Sequence, residues 1–260
     1  LDKHFLRRAF KGAKGTLYEG TVCDFANESL IRFEHKVGSK KNRKNIAKVV
    51  TALTAPLETR LKKVGKHLDL QRFLRFWAME VLVGHWDGYV SNRNNYFVYV
   101  DSKSDQLQLL PWGLDQLASD RNPFWEWGFN PPKSVKADAA IPRQLYQVDA
   151  GREKYFAVVR ELLDTVWDEK KITEQIDALQ DLIEPHTIIR GDGGRRHAGR
   201  LQNFIRRRRQ EVLAEIDDGK FPDWQLAPRE LPRNLEKIAD IEGSFTVQRD
   251  SNEKGKDGFI

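Results

Sequence analysis

Residues 70–83, Leu-Gln-Arg-Phe-Leu-Arg-Phe-Trp-Ala-Met-Glu-Val-Leu-Val, constrain the fold more than any other stretch. Leu70, Phe73, Leu74, Trp77 and Val81 fall on one face at helical spacing, and so large an apolar stripe needs burial against other elements. Asp69 is placed to cap the first turn. The run ends at Gly84-His85-Trp86-Asp87-Gly88-Tyr89-Val90-Ser91-Asn92, a polar loop. Residues 95–100, Asn-Tyr-Phe-Val-Tyr-Val, are β-branched and aromatic and predict a strand. Residues 101–105 are a polar turn, and the alternating 106–110 predict the return strand. Pro111-Trp112-Gly113-Leu114-Asp115-Gln116 follows. The order is therefore buried helix, polar loop, hairpin and a second acidic loop.

That order carries a chemical inventory. It holds an Asp, an Asn five positions on, and a second Asp beyond the hairpin. Phosphoryl transfer uses one carboxylate to orient an attacking hydroxyl and oxygen ligands to hold Mg²⁺ on nucleotide phosphates. The catalytic loop of protein kinases reads His-Arg-Asp-x-x-x-x-Asn; here His85-Trp86-Asp87 precedes Asn92, with Trp86 in place of the Arg. Kinases place catalytic loop, hairpin and metal-binding Asp in this same order. The spacing assigns Asp87 to the acceptor hydroxyl, and Asn92 and Asp115 to Mg²⁺ and the ATP phosphates. The bland readings are a turn carboxylate for Asp87 and turn chemistry for Asn92, Asn94 and Asn95. His85 is expected to brace the loop by hydrogen bonding, Trp86 and Trp112 to pack in the core, and Tyr18 is a candidate neighbour of an adenine.

His85-Trp86-Asp87, Asn94-Asn95-Tyr96-Phe97-Val98-Tyr99 and Leu110-Pro111-Trp112-Gly113-Leu114-Asp115-Gln116 together resemble the spore coat protein H (CotH) kinase family. Gly15-Thr16-Leu17-Tyr18-Glu19-Gly20, Phe33-Glu34-His35-Lys36 and the Arg-rich stretch Phe204–Arg209 are similar to further segments of it. The resemblance implies a helix-dominated α+β fold of the atypical protein-kinase type, mainly the C-lobe with a central β-hairpin, over residues 1–222. Residues 223–260 are expected to be a polar, partly disordered tail or the start of another module. It implies ATP- and Mg²⁺-dependent phosphorylation of Ser/Thr on a protein, in a secreted, cell-surface or spore-associated setting. AMP transfer or amino-acid ligation on the same scaffold stays open, as does a non-catalytic scaffold, because fold does not fix reaction. Two departures matter. The family often carries Asp where Gly113 stands. The chain begins at Leu1, after the family's N-terminal strands, so it is expected to be an N-terminally truncated fragment or a processed product; no Lys, Lys36 included, takes the phosphate-contacting role.

Composition narrows the partners. The 260 residues carry a formal charge of +6, with seven Trp and fourteen Phe, enough for a sizeable core. The charge is concentrated at residues 36–44 and in Arg195-Arg196 through Arg206-Arg207-Arg208-Arg209. Solvated faces are the ordinary reading; beyond that, such patches attract an acidic or phosphorylated protein, and nucleic acid ranks behind because aromatic interleaving is nearly missing. No apolar run approaches a membrane span of about 20 residues. The single Cys23 excludes an intrachain disulfide and is expected to be a small, partly buried residue near a turn. No Gly-x-Ser-x-Gly, His-Glu-x-x-His or paired Cys/His spacing occurs.

Elsewhere, residues 1–10 predict a short helix with Phe5, Leu6 and Phe10 inward. Residues 29–37 predict a strand; about 44–53 and 56–65 predict helices. Residues 119–132 are irregular and aromatic, a packed plug or a docking surface. Helices are predicted over about 152–166 (Phe156, Val159, Leu163 and Val166 inward) and 170–184 (Ile172, Ile176, Leu179 and Ile183 inward). A Gly-rich loop is predicted at 189–194. A basic amphipathic helix is predicted over 201–216, with Leu201, Ile205, Val212 and Ile216 inward. One strand is predicted at 241–247.

Overall fold

The computed structural model describes residues 2–10, 15–38, 43–186, 193–216 and 219–226. Of the Gly-rich loop predicted at 189–194, residues 189–192 lie outside the described residues, as do the strand at 241–247 and the tail from 227, while Gly193 and Gly194 are helical instead of loop. The chain divides into two compact units, one formed by Leu1–Asn122 with Asn130–Leu226; of the other, residues 123–129 are described.

The first unit is α+β. Its sheet has four antiparallel strands, β1 (Thr16–Gly20), β2 (Glu34–Val37), β3 (Tyr96–Val100) and β4 (Leu107–Pro111), in the order β2-β1-β3-β4. The predicted hairpin is β3–β4, and β1 extends it into a wider sheet. Strand alternation gives the sheet two apolar faces. Tyr18, Tyr96, Val98, Val100, Leu107 and Leu109 join the main core. Leu17, Phe97 and Tyr99 turn the other way, under Leu6, Phe5 and Phe10 of the N-terminal segment. That segment forms α1 (Lys3–Ala9), capped by Asp2, which accepts from the Phe5 N–H at 2.8 Å. Phe10 then stacks on Tyr99 with centroids 4.0 Å apart.

The strand predicted over 29–37 is shorter. Residues Asn27–Arg32 form a 3₁₀ helix, and Ile31 is exposed. The reason is length: β2 pairs with β1 only from Leu17↔Val37 to Glu19↔Glu34, so residues before 34 have no strand to pair with.

Helices follow the periodicity more closely. α2 (Lys44–Leu53) and α3 (Leu57–Gly65) stand as predicted. α4 (Leu70–Leu82) is the buried helix, and Asp69 caps it by accepting from the Arg72 N–H at 3.2 Å. Trp77, fully buried, donates its indole N–H to the Lys136 carbonyl at 2.7 Å and stacks on Tyr155 at 3.9 Å. Tyr155 belongs to α7 (Asp149–Thr165), which packs along α4. A short α6 (Ala140–Tyr146) precedes it. α8 (Glu169–Ile183) uses only half of its predicted face. Ile172 and Ile176 pack on the core, while Leu179, Ile183 and, just before α8, Val166 are exposed. α9 (Gly193–Ile216) buries Ile205, Val212 and Ile216. Phe221 stacks on Phe156 at 4.5 Å, holding residues beyond α9 to this unit. Within 123–129, Trp125 is buried with Phe129 edge-on at 5.5 Å, whereas Trp127 is exposed.

The Arg-rich face of α9 is the main correction. A solvated cluster was expected, yet Arg208 has no exposure. Its guanidinium donates to the Leu82 carbonyl at 3.0 Å, to the Val81 carbonyl, to the Lys133 carbonyl at 3.0 Å and to Asp120 Oδ1 at 2.6 Å. Arg209 donates to the Leu163 and Trp167 carbonyls, each at 2.6 Å, and to Glu169. Half of the Arg206–Arg209 run therefore ties α9 to the carboxyl ends of α4 and α7; Arg206 and Arg207 remain exposed. Removing one member of a buried ion pair costs roughly 3–5 kcal/mol. Arg208→Met is expected to lower the unfolding free energy by about that much in urea melts.

Lys136 lies nearby, nearly buried, and donates to the Pro132 carbonyl. Burial depresses its pKa from 10.5 to about 7, against the pull of Asp120. A lowered folded pKa means that the unfolded chain binds more protons between the two values, so this contribution to stability grows from pH 7 towards 10.5 and is lost on the way down. The variant Lys136→Met is expected to flatten that rise relative to the parent, measured by denaturant midpoints across the range.

Candidate active site

Three loops meet at the end of the sheet where β3 begins: 21–24 after β1, 84–95 between α4 and β3, and 112–116 after β4. Main-chain bonds join them. Cys23 N–H donates to the Arg93 carbonyl at 3.0 Å, and Trp112 N–H to the Asn95 carbonyl at 2.9 Å.

The middle loop is shaped by Glu80, a carboxylate on the buried side of α4 whose helical spacing with Phe73 and Trp77 is visible in the sequence but carries no role there. It accepts from the Tyr89 N–H at 3.2 Å and the Val90 N–H at 2.9 Å, capping α5 (Tyr89–Asn92) from nine residues upstream. Four residues cannot sustain a helix alone; this long-range cap holds the turn. Gly88 is needed there, since a Cβ would sit 2.6 Å from both Glu80 Oε1 and His85 Nδ1. The signal available in sequence was a lone acid inside an otherwise apolar helix face.

α5 and the residues after it aim three amides at one carboxyl group. Asn92 Nδ2 donates to Asp87 Oδ1 at 2.7 Å; Asn95 Nδ2 donates to Asp87 Oδ2 at 2.7 Å and to its carbonyl at 3.1 Å; Asn94 Nδ2 reaches both oxygens at 3.3 and 3.4 Å. Arg93 and Asn95 adopt left-handed backbone, which Asn tolerates. The amide oxygens face elsewhere. That of Asn94 accepts from the Val22 N–H at 3.1 Å, and that of Asn92 accepts a long bond, 3.5 Å, from Asn122. Asn95 Oδ1 lies over Gly113, 3.0 Å from where a Cβ would stand. Gly113 has φ +59, so it is glycine both for backbone and for space.

Asp115 is exposed on the loop after β4. Gln116 links it across: its amide donates to Asp115 Oδ2 at 3.2 Å and its oxygen accepts from the Trp86 indole N–H at 3.2 Å. The predicted site residues are thus drawn together in two steps, Asp87 with Asn92 directly and Asp115 through Gln116 and Trp86. Among the described residues no three His, Cys, Asp or Glu side chains gather into a metal cage.

Other expectations need correction. His85 does not brace the loop: it is buried, neither ring nitrogen has a hydrogen-bond partner among the described residues, and Nδ1 stands 3.6 Å from Glu80 Oε1. It lines a space of about 10 Å³ with Glu80, Trp86 and Lys136, about the size of one water. Trp112 is half exposed and edge-on to Phe97 at 5.8 Å, so it is not a core residue. Tyr18 is buried in the main core and offers no face to a base. Cys23, expected to be only partly buried, is buried, and that burial pushes its thiol pKa up. Lys36 is held by Glu19 at 2.6 Å and Glu34 at 2.9 Å.

A larger concavity of about 600 Å³, lined by Arg143, Tyr146, Arg152, Phe221 and Trp224 among others, shares no residue with these loops. Size alone favours it; convergent polar groups favour Asp87. Gly113→Ala is expected to cost about 1–2 kcal/mol for the left-handed backbone alone, and to displace Asn95, read as a shifted side-chain amide resonance.

Comparison with known proteins agrees with these motifs. The sequence profile of a family described as CotH kinase protein matches residues 1–212. Spore coat protein homolog 1 of Rhizopus delemar is 38% identical over 55 residues, 21% of this chain and 9% of that protein. Inner spore coat protein H of Bacillus subtilis is 26% identical over 129 residues, 44% of this chain and 34% of that protein. The matched stretches span about a third or less of those relatives' lengths.

Proposed function

Because this chain belongs to the CotH kinase protein family, we propose that it transfers the γ-phosphoryl group of ATP to a Ser or Thr hydroxyl of a protein, at the loop that presents Asp87. The observation that carries this reading is the Asp87 carboxyl group fixed by the amides of Asn92, Asn94 and Asn95. A carboxylate so oriented can accept the proton of an incoming hydroxyl. The acceptor oxygen bonds to the γ-phosphorus, the bond from that phosphorus to the β-bridging oxygen breaks, and ADP leaves.

The residues present fit Mg²⁺. Asn92 and Asn95 point their amide nitrogens at Asp87, so that amide oxygens, a ligand type that Mg²⁺ takes, stand beside the carboxylate; the Asn95 oxygen lies in the space that Gly113 leaves open, the Asn92 oxygen accepts a long bond from Asn122, and Asp115 adds a carboxylate. Few protein ligands suit this ion, which takes its remaining oxygens from phosphates and water. When bound, Mg²⁺ supplies positive charge to the β- and γ-phosphate oxygens. The order of buried helix, Asp loop, hairpin and Asp supports a kinase-like C-lobe, and the names of the two relatives support a spore-coat setting. Gly113 favours a second reading: it leaves Asp115 as the one acid among residues 111–116, which suits a non-catalytic scaffold.

The test uses the full-length gene product with Mg²⁺ and ATP labelled separately at the α and γ phosphates, beside Asp87→Ala and Asp115→Ala. Transfer of γ label to a mixed protein substrate is expected, and it should fall by about 10²-fold or more in Asp87→Ala. Transfer of α label would indicate nucleotidyl transfer. No transfer, with no binding of Mg·ATP, would leave the scaffold.

A further inference from the structure

Among the described residues six non-glycine residues have left-handed backbone, and three of them, Val22, Arg93 and Asn95, lie in the loops around Asp87. Asn adopts this conformation readily; Arg and a β-branched Val do not. Arg43, the other arginine among the six, has a structural use, since its Nε donates to the Phe33 carbonyl at 2.8 Å. Arg93 bonds through its main chain alone: its N–H donates to the Tyr89 carbonyl at 2.9 Å, and its carbonyl accepts from the Cys23 N–H at 3.0 Å. Gly or Asn would meet both bonds at less cost. Its half-buried guanidinium has no hydrogen bond and no ion pair among the described residues. Strain held without a side-chain contact to offset it points to a functional position.

Arg32 is a second such cation, exposed at the end of the 3₁₀ helix Asn27–Arg32 and likewise without an ion pair among the described residues. Both charges act on the loop 21–24. Burial raises the pKa of Asp24 and of Cys23; the field of Arg93 opposes that rise at Asp24, and the field of Arg32 opposes it at Cys23. Asp24 does not neutralise them by contact. Its oxygens accept from the Phe25 N–H at 2.7 Å, the Ala140 N–H at 2.9 Å and the Tyr89 hydroxyl at 3.1 Å. Glu19 of β1 and Glu34 of β2 are taken by Lys36.

The sheet order sets β1 and β4 on opposite sides of β3. Arg93 is joined to the loop after β1, and Asn94 turns its oxygen to Val22 there. Asn95 is joined to the loop after β4, which carries Gly113 and Asp115. The Asp87 carboxyl group accepts from the amides of both Asn94 and Asn95. Asn95 and Asp115, given above to Mg²⁺ and the nucleotide phosphates, therefore belong to the β4 side. The β1 side, with its two arginines, is left for the acceptor. We propose that Arg93, supported by Arg32, selects acceptor proteins by binding an Asp or Glu side chain within a few residues of the Ser or Thr that reaches Asp87. A guanidinium holds a carboxylate through two parallel hydrogen bonds, which fixes orientation as well as charge. The proposal rests on the phosphoryl-transfer reading for its acceptor, yet the carboxylate contact can be measured without transfer.

The test uses the full-length gene product and acetylated, amidated peptides with one central Ser among Ala and Gly. A single Glu, or a single Lys, is placed in turn at each position flanking the Ser, and the peptide with neither is the reference. With Mg²⁺ and γ-labelled ATP, Glu at one or two positions is expected to raise transfer about tenfold over the reference, and Lys to lower it. Arg93→Asn, which suits the left-handed backbone, should bring the ratio of Glu peptide to reference close to one, and Arg93→Glu should favour Lys. Three results overturn the proposal: no preference for Glu in the parent, a preference unchanged in Arg93→Asn, or an equal loss of transfer to Glu and reference peptides, which would place Arg93 on the nucleotide. If no peptide is labelled, the Glu peptides are titrated without ATP and the Arg93 Nε–H resonance is followed. A shift with Glu peptides and none with Lys peptides would keep the carboxylate contact while removing the transfer reading; no shift with either would overturn both.

Discussion

The carboxylate of Glu80 is the contact on which the site depends. It sits on the buried face of α4, and its two oxygens hold the N-terminus of α5, which carries Asn92. A buried acid requires hydrogen-bond donors; here main-chain N–H groups supply them, and in meeting that need they fix the start of a turn too short to persist alone. The rigidity of α4, set by Trp77 stacked on Tyr155, is thereby passed to the loop around Asp87. Gly88 permits the approach, and His85 crowds against it. The polar loop read in the sequence is thus an extension of the core.

Much of the fold was legible because it is periodic. α4 announces itself through five large apolar residues on one face, and β3–β4 through alternation around a polar turn. What was not legible depends on partners far away in sequence. Residues 29–32, the first half of the predicted strand, alternate like a strand but have no strand to pair with. α5 lacks any helix signal, because its cap is supplied by Glu80. Leu179 and Ile183 obey helical spacing and still face outward, since a periodic stripe specifies that a helix can be buried without specifying what covers it. Arg208 shows the converse: an arginine run reads as solvent-facing until distant carbonyls are placed around it.

The site divides in the same way. Spacing alone pairs Asp87 with Asn92, and the structure brings them to 2.7 Å. Spacing could not show that Asn94 and Asn95 share the same carboxyl group, because their approach depends on left-handed backbone at Arg93 and Asn95. Nor could it show that Gly113 and Asn95 occupy neighbouring volume, which places an amide where a larger residue at 113 would intrude. His85 was misread because the ring fits the sequence role of a brace, whereas burial leaves its nitrogens beside a cavity, with Nδ1 approaching Glu80 Oε1 only to 3.6 Å.

The ring of three amides also gives this loop a chemical lifetime. An asparagine side chain can hydrolyse to a carboxylate, and at any of these positions that change replaces a donor with an acceptor and sets a like charge against Asp87. Two carboxylates at such separation disfavour joint ionisation and drive one towards its protonated form. Asn94 is the most consequential, for its amide reaches Asp87 while its oxygen receives the Val22 N–H. Ageing of one side chain there would keep an acceptor for the Val22 N–H while turning the donor that faces Asp87 into a second acceptor, so the loop would stay tied on one side and lose its hold on the carboxyl group on the other.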